Sequence, residues 1–232
     1  MRFKQLAIAI TLASISTAAL AENTGFYVGG KLGASIMQSK DIQSRGYDRT
    51  NTDYDYILLG NKNKAVFNMG VNAGYDFNVS YQLPIRAELD YTYRSDAKIS
   101  TSEYVFSSIA GNAGGAYSDE DANLKIGQST LMVNGYYDFY NSTDFTPYVG
   151  AGLGMSFIKY KDEYTNVSKT QLAWSAMAGV SYKVMPDLTA SLEYRYLDSG
   201  KVKDNENDGD WQDKHSAKLN SNDISIGLRY AF

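Results

Sequence analysis

"PIRAELDYTYRS" (84–95) has two faces suited to different solvents. Ile85, Ala87, Leu89, Tyr91 and Tyr93 make one, and Arg86, Glu88, Asp90, Thr92 and Arg94 the other. Strict alternation of this kind marks a β-strand with only one apolar side. In a lipocalin-like or sandwich protein that side turns inward to a core. In a membrane barrel it turns outward to lipid and the polar side is enclosed.

Seven further stretches repeat the period: 26–36, 66–77, 129–140, 147–160, 171–184, 188–197 and 222–232. Short connections follow the second, fourth and sixth strands, at 78–83, 141–146 and 185–187. Long polar ones follow the first, third, fifth and seventh, at 37–65, 96–128, 161–170 and 198–221. Short turns at one end and long loops at the other match an outer-membrane barrel, and an even strand count returns both chain ends to the periplasm. The polar faces separate the two solvents. They carry Lys31, Arg86, Arg94, Lys183, Arg195 and Arg229 against Asp76, Glu88, Asp90, Asp138, Glu193 and Asp223, six of each sign. Water does not require such balance, whereas charges enclosed in a narrow lumen must pair to offset desolvation.

The composition agrees. The 232 residues include 20 Tyr, 20 Gly, three Pro and no Cys. Tyr forms strands and favours membrane–water interfaces. Without Cys there is no disulfide framework, so closure of the sheet must hold the chain together. "MRFKQLAIAITLASISTAALA" has a basic start (Arg2, Lys4), an apolar run and an A-x-A end, which reads as a signal peptide over 1–21 and leaves 22–232 as the barrel. Without those two bases the charge is −6, which opposes a nucleic-acid partner.

"PYVGAGLGMSFIKY" (147–160), "WSAMAGVSYKVMPDLTASLEYRYLDSGK" (174–201) and the ending "ISIGLRYAF" resemble the opacity-protein (Opa-like) outer-membrane β-barrel superfamily. OmpA-like membrane domains and OmpX-type proteins share its architecture. The resemblance implies adhesion to host-cell surface receptors through extracellular loops, mainly the second and third. Here the second, 96–128, is long and the third, 161–170, is short, so no receptor-binding residue carries over. The ending, with Tyr230 and Phe232, resembles the signal read by the barrel-assembly machinery.

Catalysis and metal binding find little support. His215 is the one histidine, and His215-Ser216 in a polar loop lacks the spacing and the third group that an activated serine needs. In "DNENDGD" (204–210), Asp204, Glu206 and Asp208 precede Gly209 as in a calcium loop, but His215 stands where a bidentate Glu should close the site. No enzyme, cofactor or metal site is expected. Aromatic residues in the first and second loops, Tyr54, Tyr56, Tyr104, Phe106 and Tyr117, are candidates for protein recognition. Equally, Tyr104 to Phe106 could simply continue strand pairing above the membrane.

The expectation is an all-β fold: an eight-stranded antiparallel up-and-down transmembrane β-barrel with short periplasmic turns and long extracellular loops. Side chains fill a lumen of this size, so no open pore is expected. The chain is expected in the bacterial outer membrane, surrounded by its lipid, as an adhesin-like surface antigen. A structural envelope barrel without a ligand and a narrow solute pore are the alternatives.

Overall fold

The computed structural model describes residues 24–48, 53–59, 62–109, 116–161, 166–208 and 211–232. The signal-peptide stretch 1–21 lies outside them. The strands are β1 (Phe26–Asp48), β2 (Asp53–Leu59), β3 (Lys62–Asp76), β4 (Ile85–Ile109) and β5 (Ala116–Asp138). They continue with β6 (Phe145–Lys161), β7 (Asn166–Met185), β8 (Leu188–Asp208) and β9 (Trp211–Ala231). Each pairs antiparallel with its neighbours, and β1 pairs with β9 from Tyr27–Ala231 up to Asp48–Trp211, closing the sheet.

Nine described strands make eight staves. Ser39 pairs with Lys62 in β3, and Ile42 with Leu59 in β2, at one constant offset. β4 likewise meets β2 and β3 in one register, from Asp53–Ile109 to Asp76–Arg86. β2 and β3 are therefore segments of one stave.

The surface is inside-out for a soluble protein. Leu32, Val71, Leu153, Leu172 and Ile226 are more than half exposed, while Asn68, Asp90 and Arg94 have no exposure at all. Such an exterior is stable only against lipid, and closure leaves no backbone group unpaired there. Rings gather at the periplasmic end. Phe26 and Tyr75 meet edge to face at 4.8 Å, Tyr137 and Phe139 at 5.0 Å, and Tyr230 and Phe232 at 5.4 Å. The first and last described residues meet here, where the Thr24 N–H donates to the Phe232 carbonyl at 3.1 Å.

The connections differ from the sequence expectation in two ways. The 78–83 turn begins as one helical turn, α1 (Phe77–Tyr81), capped by Asp76, whose Oδ1 accepts from the Asn78 N–H at 2.9 Å. Gln82 ends it in the left-handed region, at φ 55°. More consequential, most of the long loops are strand. β4 spans 25 residues and β5 23, whereas crossing a bilayer takes about 9–11. Their upper halves pair from Ala97–Ile126 to Phe106–Ala116. Above the membrane neither face meets lipid, so apolar alternation stops there while the hydrogen-bond ladder continues.

Candidate functional site: the lumen and the extracellular sheet

Period two turns the polar face of every stave inward, and ten of the twelve balanced charges line the lumen. Asp90 on β4 is the hub. It forms an ion pair with Lys31 Nζ of β1 at 2.6 Å and accepts from Arg195 Nη1 of β8 at 2.8 Å and from the Thr92 hydroxyl at 2.9 Å. Arg195 also reaches Glu193 at 3.1 Å. On the periplasmic side, Arg86 forks onto Asp138 with bonds of 2.5 and 2.9 Å. On the extracellular side, Arg94 holds Asp223 and donates to the Thr130 hydroxyl at 3.3 Å. Apart from Arg195–Glu193 along β8, these ion pairs tie different staves across the interior, the geometry in which a buried ion pair offsets its desolvation. Asp76 and Lys183 do not join in. Asp76 stays at the rim, capping α1 and accepting from the Tyr140 hydroxyl at 3.3 Å, and Lys183 is exposed. Burial and that carboxylate push the Tyr140 phenol above its ordinary pKa.

Three inward tyrosines escaped the sequence reading. Tyr27 and Tyr136 donate to Glu88 at 3.1 and 3.2 Å, and Tyr148 to Glu193 at 3.3 Å. Arg86 lies 4.6 Å from the Tyr136 ring centre, and Arg229 lies 5.0 Å from that of Tyr27. Each ring covers a glycine directly opposite on the next stave: Tyr27 on Gly74, Tyr136 on Gly150 and Tyr148 on Gly179. A β-carbon at any of the three would collide with the ring. The signal was present as an aromatic residue at inward parity opposite a glycine, but only register makes it readable.

Another unforeseen feature is an apolar layer at the extracellular end of the lumen. Met37, Val66, Ala97, Ile126, Ile158 and Leu219 cluster there, from six staves. Asp198 and Lys218 pair beside it at 2.9 Å. Between this layer and the periplasmic mouth, a cavity of about 40 Å³ remains among Lys31, Arg86, Glu88, Tyr136, Glu193 and Arg229. That volume suits a few waters rather than a passage.

The recognition candidates fall in the extracellular sheet. The backbone register sets Tyr54 opposite Ser108 and Tyr56 opposite Phe106. Tyr104 faces Ser118, and Tyr117 faces Val105. The continued-pairing alternative for 104–106 is thus what the backbone adopts. The side chains of these five residues lie outside the described ones. His215 is also in a strand, with its backbone paired to Ser44 and Asp204.

The outer membrane protein beta-barrel domain family matches over residues 6–232. Outer membrane protein PagN of Salmonella typhimurium is 34% identical, over 97% of this chain and 96% of that protein. Major surface antigen 4 of Anaplasma marginale is 29% identical, over 62% of this chain and 55% of its own length. Among solved structures, neisserial surface protein A superposes with a TM-score of 0.53 at 20% identity, covering 90% of this chain and 97% of that one, a likeness of fold.

Proposed function

This chain belongs to the outer membrane protein beta-barrel domain family, and on that premise we propose that it is an adhesin that recognises host-cell surface molecules through the strands raised above the bilayer. It is an outer-membrane surface protein, and the similarity to a major surface antigen supports a role at the cell exterior. The observation that carries the reading is strand length. β4 and β5 run to 25 and 23 residues, more than twice the span needed, and expose a paired sheet instead of closing just above the membrane. A barrel serving only envelope integrity needs no such extension. A filled lumen beneath an apolar layer likewise gives a solute pore little support.

The reading assigns no catalysis to the chain. Removing 99–125 and joining the shortened β4 and β5 by a tight turn should leave a heat-modifiable, outer-membrane barrel whose attachment to host cells falls to background. Unchanged attachment would count against adhesion, and a steady open current in planar bilayers would favour the pore.

The barrel-assembly machinery is the proposed partner of the last strand. Phe232 completes the closing pair, donating its N–H to the Phe26 carbonyl at 3.0 Å. Phe232→Asp should lower outer-membrane assembly several-fold with export intact, and normal insertion of that variant would remove this partner.

A further inference from the structure

Among the described residues, the enclosed cations of the barrel have carboxylate partners, with one exception. Lys31 and Arg195 meet Asp90, Arg86 meets Asp138, and Arg94 meets Asp223. Arg229 lies over the Tyr27 ring at 5.0 Å, and no described residue gives its guanidinium an ion pair or a hydrogen bond. It lines a second cavity, of about 260 Å³, at the periplasmic mouth. A charge enclosed without a counter-charge is costly, so its surroundings bear on what the mouth is built to hold.

The register sorts the mouth into two sides. Lys183, Thr189 and Arg229 stand directly opposite one another on β7, β8 and β9, two cations flanking a hydroxyl. One pleat deeper on β7, the Ser181 hydroxyl is buried in the wall of the same cavity and has no hydrogen-bond partner. This side offers donors. The carboxylates of the mouth come from elsewhere in the ring. Asp138 on β5 is held at both oxygens by Arg86. Asp76 ends β3, which stands across the ring of staves from β7. It accepts from the Asn78 N–H and the Tyr140 hydroxyl, both neutral, and among the described residues it meets no cation.

We propose that the periplasmic mouth binds a short peptide with free ends, its carboxylate between Lys183 and Arg229 and its ammonium at Asp76. Neighbouring strands stand about 4.8 Å apart, so the stems of the two cations are about 10 Å apart. A carboxylate seated over the Thr189 hydroxyl is within reach of both long side chains, and it supplies the partner that the Arg229 guanidinium lacks. A single amino acid carries both charges on one carbon and cannot reach from β9 to β3. A peptide gains about 3.3–3.6 Å per residue and does so with two or three. The cavity holds roughly eight or nine waters at about 30 Å³ each, which such a peptide displaces. The site lies at the opposite end of the barrel from the extracellular sheet and is independent of adhesion.

The test uses the outer-membrane form of the chain, nitrogen-15 labelled in detergent micelles, with trialanine as the probe. The backbone amide signals of Ser181, Thr189 and Arg229 should move saturably as trialanine is added. Trialanine amide, which has no carboxylate, should bind about tenfold or more weakly, and Arg229→Gln should weaken trialanine to the same degree. N-acetyl-trialanine, which has no ammonium, should lose about threefold or more. Asp76→Asn keeps a good helix cap, so it should bring trialanine down to the acetylated peptide and leave the acetylated peptide unchanged. A native heat-modifiable gel shift checks the fold of each variant. Equal binding of trialanine and its amide, or unchanged binding by Arg229→Gln, overturns the proposal. Alanine or inorganic phosphate binding as tightly as trialanine overturns it as well, since neither spans the mouth.

Discussion

The lumen and the extracellular sheet share one continuous hydrogen-bond ladder and differ in almost everything attached to it. In the lumen opposite charges meet across a few ångströms of protein, as Asp90 does between Lys31 and Arg195. In the extracellular sheet the same staves carry Asp119, Glu120 and Asp121 in sequence, or Lys201 beside Lys203, with water as the surrounding solvent. The difference is one of dielectric. An enclosed charge left without its partner costs several kcal/mol, whereas a solvated one costs almost nothing. Pairing is therefore dictated inside, and composition is free to follow recognition outside.

The largest expected effect breaks the hub. Asp90→Ala leaves Lys31 and Arg195 facing each other and should destabilise the folded barrel by about 3–5 kcal/mol, read from denaturant unfolding in lipid vesicles. A loss below about 1 kcal/mol would mean that water screens the lumen as it does the surface, removing the contrast.

Next comes the Arg94–Asp223 pair. Either Arg94→Met or Asp223→Leu alone should cost several kcal/mol, while the double variant should recover most of that loss, because no unpaired charge remains. Additive losses in a double-mutant cycle would show that each side chain is held by something other than its partner.

Gly179→Ala should be smaller, about 1–3 kcal/mol, since the new methyl group meets both the Leu192 carbonyl oxygen and the Tyr148 ring and both must shift. Gly135→Ala is the control. A β-carbon there meets no atom within 4 Å, and stability should hold.

The smallest effect on folding belongs to the extracellular sheet. Tyr56→Ala with Phe106→Ala should change unfolding free energy by no more than about 1 kcal/mol, yet reduce host-cell attachment. A large loss of stability with attachment retained would reverse the contrast, making these residues structural.

Much of this was legible in the chain, for reasons tied to particular residues. Ile85 to Tyr93 alternate with Arg86 to Arg94 because lipid and lumen impose opposite demands on successive side chains. Where that demand ends, so does the signal. Residues 96–128 lack lipid-facing alternation and read as a loop, although 97–106 and 116–126 pair as an antiparallel ladder with one register shift. Parity likewise assigned Asp76 and Lys183 to the inside, but parity carries no depth. Both stand at the periplasmic rim, beyond the last enclosed layer.

The sequence by itself determined that this chain closes into an eight-stave barrel with its charges inside, because period two and the balance of charges are local or additive properties. The tertiary structure alone decided who meets whom. Asp90 and Arg195 stand 105 residues apart, and Arg94 and Asp223 stand 129 apart. Only the register and closure of the sheet bring them together. Tyr27, Tyr136 and Tyr148 find their glycines by the same rule. A strand pattern specifies faces. Contact across a closed sheet depends on stagger, and stagger is a property of the whole barrel.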